Sequence, residues 1–381
     1  MAAKSHLEIV VTAKNLASAG LAAASGDVER FDGAMQGLGR NIQRASTVAM
    51  GALTGIGVAS LKAGIDFESS FAGIRKTVNG TEEDFEMLAA GMRNMSKEIP
   101  VNVNELNRIG EAAGQLGIKT ENILDFTETM AQLGVATNLS SEEAATALAR
   151  LANITGMSQT DFDNLGSSIV ALGNNFATTE AEIVEMGLRL AGAGATIGMS
   201  ESQILGFATA LTSVGINAEA GGTAFSKLMI GISAEVENGG DKLEDFARIA
   251  GMSADTFVQK WQTDPAAALV SFVQGLGDVE GQGQPTIAMM EELGITEIRM
   301  RDALLRSAGA ADMMTEAMSL SNEAWVENTA LTKEAETRFE TTASQLQLLR
   351  NEANDAAITI GQNMAPHLRD IVGIADNAFE A

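Results

Sequence analysis

The sequence predicts an all-α fold of stacked antiparallel helix pairs, in repeats of about 40 residues, with long flanking helices of which the C-terminal one is coiled-coil-capable. Three observations lead there. No proline lies between Pro100 and Pro265, and apolar residues in that stretch recur at three- and four-residue steps, the period of a helix. Gly followed by Ile or Met and then a polar residue recurs at Gly117-Ile118, Gly156-Met157, Gly198-Met199, Gly215-Ile216 and Gly251-Met252. Finally, Gly117 to Gly134, Gly156 to Gly173 and Gly198 to Gly215 are equally spaced, and the apolar positions between them superpose without a gap.

From the N-terminus, Leu7 to Val11 reads as a short strand, followed to residue 44 by an Ala/Gly-rich helical stretch. Ala45 to Leu61 is uncharged between Arg44 and Lys62, with Gly51 and Gly55 in small-xxx-small register. That run fits a helix packed against other protein, or an interfacial or membrane-spanning segment, so membrane contact is a weak option. Glu82, Glu83 and Asp84 begin a helix.

The Gly-Ile/Met corners then set the pattern. Glycine after a helix takes the left-handed conformation, and the apolar residue behind it folds back onto the last turn. At Met157-Ser158, Met199-Ser200 and Met252-Ser253 the Ser is the expected N-cap, with Phe162, Ile204 and Phe257 at hydrophobic-staple spacing. Ser140 with Glu143, and Thr179 with Glu182, are capping boxes. The superposed columns are Ile118/Met157/Met199, Ile123/Phe162/Ile204, Phe126/Leu165/Phe207, Met130/Ile169/Leu211 and Leu133/Leu172/Val214, one helix face in each unit.

Residues 276–286 read as a loop. One long helix is expected from Ser321 to Gly361, to be kinked or ended by Pro366. Its heptad seam runs through Phe339, Thr342, Leu346, Leu349, Ala353, Ala356 and Ile360, weakened by the Thr and the two alanines. The texture divides the chain into residues 1–65, an N-terminal helical segment with the apolar stretch 45–61; 66–310, a helical core with units starting near 117, 156 and 198; and 311–381, the long C-terminal helix.

Composition narrows function. The 381 residues carry 25 Lys+Arg against 50 Asp+Glu, a net charge of −25, which repels phosphates and argues against specific nucleic-acid binding. Because 45% of residues are hydrophobic and only 20% charged, the chain has apolar surface enough to fold. With no Cys, disulfides, thiolate metal sites and a Cys nucleophile are excluded, and two histidines, His6 and His367, cannot make a multi-His metal centre. Met1 to Val11 lacks the apolar core of a signal peptide, so Asn79, Asn94, Asn138 and Asn153, each in an Asn-x-Ser/Thr triplet, have no secretory context.

Catalytic motifs are lacking. Gly192 to Gly198 is one residue too long for a dinucleotide fingerprint and follows no strand, so it reads as a packing and corner element. Glu143, Glu182 and Glu201 sit in first helical turns, where carboxylates satisfy backbone donors and the helix dipole. No catalytic, cofactor-binding or metal residue is expected, nor any cofactor.

Leu-Gly-Asn-Asn-Phe-Ala-Thr-Thr-Glu-Ala-Glu-Ile at 172–183 resembles a known family, together with Leu190 to Gly194, Ile197 to Ser200, Gly215 to Ala224, Phe246 to Ser253 and Trp261. These runs are similar to the core region of tail tape measure proteins of long-tailed bacteriophages, and the likeness extends over most of the chain. The resemblance implies a structural virion protein in three or six copies, a homo-oligomer in the tail-tube lumen that fixes tail length and leaves ahead of the DNA. It also implies contact with the tail tube protein, tail-tip or baseplate proteins and tail assembly chaperones. The chain departs from the family in being short, so it fits an N-terminal portion of a longer ruler. Two other readings compete: a helical-repeat module that binds a peptide or partner helix, as adaptor or scaffold, and, more weakly, an accessory cell-wall hydrolase.

Overall fold

The computed structural model describes residues 47–281 and 286–379, with side-chain surroundings over 57–278 and 286–364. The expected strand at Leu7 to Val11, the Ala/Gly-rich stretch to residue 44 and His6 lie outside the described residues. All described elements are helical, with seventeen α-helices, one 3-10 turn at Thr120–Asn122 and no strand among the described residues.

The first nine helices alternate between two layers. One holds α1 (Thr47–Thr77), α3 (Val103–Gln115), α5 (Ser141–Thr155), α7 (Glu180–Ile197) and α9 (Ala218–Asn238), each packed on the next. The other holds α2 (Glu82–Glu98), α4 (Ile123–Ala136), α6 (Phe162–Asn175) and α8 (Glu201–Ser213), packed in the same manner. Five more helices follow at the α9 end: α10 (Leu243–Ile249), α11 (Ala254–Thr263), α12 (Pro265–Gly281), α13 (Thr286–Glu292) and α14 (Ile298–Ala308). The chain then returns along the even layer. Helix α15 (Ala311–Glu327) lies on α8 and α6, α16 (Ala330–Phe339) on α6 and α4, and α17 (Thr342–Phe379) on α2 and α1.

The corners form for the reason the sequence gives. Gly117, Gly156, Gly198, Gly215 and Gly251 all have φ between 72° and 91°, where a Cβ would strain the backbone. In each the next residue donates its N–H back to a carbonyl of the last helical turn, as in Ile118 N to Ala113 O (3.0 Å), Met199 N to Gly194 O (2.9 Å) and Ile216 N to Leu211 O (3.1 Å). These bonds satisfy carbonyls that a helix end leaves unpaired. Gly239 and Gly294 repeat the device at φ 60° and 79°.

Helix starts follow the caps. Ser140 with Glu143 and Thr179 with Glu182 form reciprocal boxes, Ser200 forms one with Gln203, and Ser253 caps α11. Ser158 is a correction, because α6 begins at Phe162 with Asp161 in the cap position. The Ser158 hydroxyl instead accepts from Thr160 N within a turn. Gln159 holds that turn against the preceding corner, accepting from Lys119 N at 2.8 Å and donating to Gly117 O at 3.0 Å.

The five apolar columns point into the protein. Every member is buried except Met157 and Val214, which are half-buried. Phe126 meets Phe162 edge-on at 4.7 Å between ring centroids, so α4 and α6 interlock through the core. The second glycines of the three intervals are not equivalent. Gly134 and Gly173 lie inside α4 and α6, where a Cβ would strike Ser141 and Glu180, the first residue of the next helix, whereas Gly215 is a left-handed corner.

Three further expectations change. Residues 276–281 of the expected loop belong to α12, and 282–285 lie outside the described residues. Its glycines serve close approach: Gly275 abuts the Ile249 backbone, a Cβ on Gly277 would come 2.7 Å from Ala308 O, and Leu276 is fully buried. The single helix expected from Ser321 to Gly361 is interrupted twice, at Asn328–Thr329 and Glu340–Thr341, and Asn328 takes φ 48°. Asn visits the left-handed region more readily than other non-glycine residues. At Pro366 the helix neither ends nor restarts, and α17 continues to Phe379, the proline having removed a single N–H from a long hydrogen-bond ladder.

Candidate interaction surfaces

The acidic residues considered for catalysis act as helix starts. Hydrogen bonds from the Ser140 hydroxyl and backbone hold the Glu143 carboxyl below the usual carboxylate range, and Thr179 does the same for Glu182. A general acid needs the opposite shift. Gly192 to Gly198 closes α7: Gly198 is the left-handed cap, and Gly194 leaves room for Ile204, whose Cγ1 would lie 2.8 Å from a Cβ there. Among the described residues no group of three or more His, Asp or Glu could hold a metal ion. His367 lies on α17 beyond the residues whose side chains are described.

The return helices meet the body through polar clasps between small residues. On α6, Asn164 Nδ2 donates to Trp325 O at 2.7 Å, and the Ser168 hydroxyl donates to Ser321 O at 3.0 Å. Ser167 Oγ donates to Asn328 Oδ1 at 2.9 Å, while Asn328 Nδ2 donates to Asp163 Oδ2 at 2.5 Å. On α8, Ser202 Oγ donates to Asn322 Oδ1 at 2.6 Å. At the far end, buried Asn351 donates through Nδ2 to Ser96 O (2.7 Å) and Val101 O (2.8 Å), and Asp355 pairs with Arg93 and Lys97. Sequence reasoning missed this set, because serines and asparagines on a helix carry no mark that distinguishes a clasp from a solvated face.

Helices α1 and α17 cross where side chains are smallest. A Cβ on Gly64 would come 3.1 Å from the Gly361 backbone, and one on Gly361 would strike the Ser60 carbonyl. The small residues at this crossing are therefore Ser60, Gly64 and Gly361. Gly51 and Gly55 also lie on α1, but their surroundings are outside the described residues. Among the described residues, no helix is long and apolar enough to cross a membrane.

The heptad residues divide between two helices. Phe339 ends α16, half-buried against the body core, while Leu346, Leu349, Ala353, Ala356 and Ile360 all fall on α17. The inward face of α17 is made by Asn351, Asp355, Ile358 and Gly361. At 100° per residue Leu349, Ala353, Ala356 and Ile360 project from the side opposite the middle of that face. Leu346 is 51% exposed, Ala353 is exposed, and Leu349, Ala356 and Ile360 are half-exposed. The two periodicities of α17 are thus a docked polar face and an outward apolar one.

The described residues thus form an all-helical body with an apolar ridge on its return helix. A curated relative described as "Probable tape measure protein", from Halomonas phage phiHAP-1, is 21% identical over 339 residues, covering 84% of this chain. The chain spans 39% of that relative's length. No solved structure matches. The profile of the phage-related minor tail protein family matches residues 89–294, from the middle of α2 to the end of α13 and so across most of both layers. That match covers more than half of the chain, and the chain belongs to the phage-related minor tail protein family.

Proposed function

We propose that this chain is the helical core portion of a tail tape measure protein, a structural component without enzymatic activity that occupies the tail-tube lumen, sets tail length during assembly and leaves ahead of the DNA. The observation that carries the reading is the likeness to a probable tape measure protein along 84% of the chain. The alternating layers of α1 to α9 support reading the units near 117, 156 and 198 as stacked antiparallel helix pairs within a core of residues 66–310. Residues 1–65 and 311–381 then flank that core.

The outward apolar ridge of α17 supports a coiled-coil seam through Leu346, Leu349, Ala353, Ala356 and Ile360, with Phe339 at its head, joining three or six copies. Tube, tail-tip or baseplate proteins and assembly chaperones are the remaining partners. A net charge of −25 suits a protein that must leave a tube with DNA behind it and not adhere to that DNA.

Protease protection tests the assignment. Antibody against this chain should detect it intact in protease-treated whole tails and find it depleted from tails that have released their DNA. Digestion in whole tails would place the chain on the outside, and full retention after release would show that it does not leave ahead of the DNA; either result overturns the reading.

A further inference from the structure

At the break between α15 and α16 the body of the protein supplies hydrogen bonds to both flanking helices. No Gly or Pro occurs from Ala311 to Ile360, and the sequence there carries a continuous helical pattern. In an uninterrupted helix Trp325 O would accept from Thr329 N, and Leu331 N would donate to Glu327 O. Here Asn164 of α6 occupies Trp325 O, and Ser167 Oγ faces Leu331 N at 3.5 Å. The same Ser167, with Asp163, holds the Asn328 side chain while its backbone sits at φ 48°. Thr329, in the N-cap position of α16, makes no side-chain cap bond of its own. One turn of α6 therefore supplies a hydrogen-bond partner to a backbone group at each new helix end.

The second break differs. Ser344 Oγ donates to Arg338 O, Gln345 Nε2 donates to Phe339 O, and Thr341 Oγ1 accepts from Ser344 N, so that junction is capped by its own residues.

Attachment also changes at Asn328. Helix α15 is part of the core, burying Ala311, Met314, Ala317, Met318 and Ala324. From residue 330 to 364 the buried hydrophobic side chains are Leu331, Ala335 and Ile358, with Ala330 and Phe339 half-buried against the core, and the rest of the attachment is the Asn351 and Asp355 clasp and the Gly64–Gly361 crossing with α1. Clasp groups can exchange their partners for water, so releasing this limb exposes fewer buried apolar side chains than releasing the shorter α15 would.

We propose that α16 and α17 form a releasable limb, and that Asn328 is its switch. Docked on α6 the chain is broken at Asn328; released, α15 and α16 close their own hydrogen bonds and run on as one helix through residues 311–339, carrying the α17 ridge away from the body. This concerns the mechanics of the chain and does not depend on the tape-measure reading.

The absence of cysteine makes the test direct. Spin labels at Glu316 and Glu336, both exposed, report the break, because a continuous helix sets them about 30 Å apart. Labels at Glu98 and Glu352, also exposed, report whether the limb is docked on α2. Pulsed dipolar measurements on the full chain should show Asn164→Ala with Ser167→Ala raising the 30 Å population and lengthening the second distance together. Asn328→Leu, which leaves every body residue in place, should move both distances the same way. If the first distance holds in both variants while circular dichroism shows a folded protein, or the limb leaves with the break intact, the proposal fails.

Discussion

Two glycines inside helices of this chain should respond to substitution in opposite directions. Gly206, in the middle of α8, faces the backbone of α15, where an added Cβ would lie 2.6 Å from Met318 Cα and 2.8 Å from Ala317 O. Backbone cannot rotate away as a side chain can, so Gly206→Ala must push α15 off α8, at a cost of about 1–3 kcal/mol. Gly231 lies in α9 with nothing within 4 Å of the position a Cβ would take. There alanine removes backbone freedom from the unfolded chain and should stabilise by about 0.5–1 kcal/mol. Thermal unfolding of the two variants should move in opposite directions, and a neutral Gly206→Ala would mean that α15 does not seat as closely as described. The corner glycines were legible in the sequence because an apolar residue and a polar one follow each of them. Gly206 was not, because the backbone that requires it arrives far along the chain.

Helix ends were readable for the same local reason. A cap and the turn it satisfies lie within a few residues of one another, so Ser140, Thr179, Ser200 and Ser253 declare themselves, and the apolar columns follow from the helical period. Ser158 failed where a distant partner intervened, Gln159 holding the turn to the Gly117 corner. The return of α15 to α17 had no local signal, since Asn164, Ser167 and Ser168 reveal their role only when Ser321 to Leu331 lie over them. The ridge on α17 is the element whose role can now be separated from folding. Leu346 and Leu349 lie away from the buried face, so Leu346→Asp with Leu349→Asp should leave helix content and thermal unfolding close to those of the parent. If the ridge joins copies, two carboxylates in an apolar contact should lower the mass measured by light scattering. An unchanged oligomer with the fold intact would assign the ridge to something other than self-association.

At the scale of the whole molecule, a ruler and a packed body should react differently to the loss of residues. An extended helix adds about 1.5 Å per residue, so removing whole heptads from an extended helical part of the intact protein should shorten the tail in proportion. Deleting Gly156 to Ile197 from the body is another matter. That segment contains α6 and α7, and with them Asn164, Ser167 and Ser168, which hold α15 and α16. It also removes the helix between α5 and α9 in one layer and between α4 and α8 in the other. The two core clusters meet on α7, where Ile183 and Val184 belong to one and Met186 and Leu190 to the other, so the deletion severs both. The expected phenotype is absent or aberrant tails, not tails shortened in step with the residues removed. Electron micrographs of phages carrying each deletion would decide, and normal tail length in both would remove the tape-measure function from this chain.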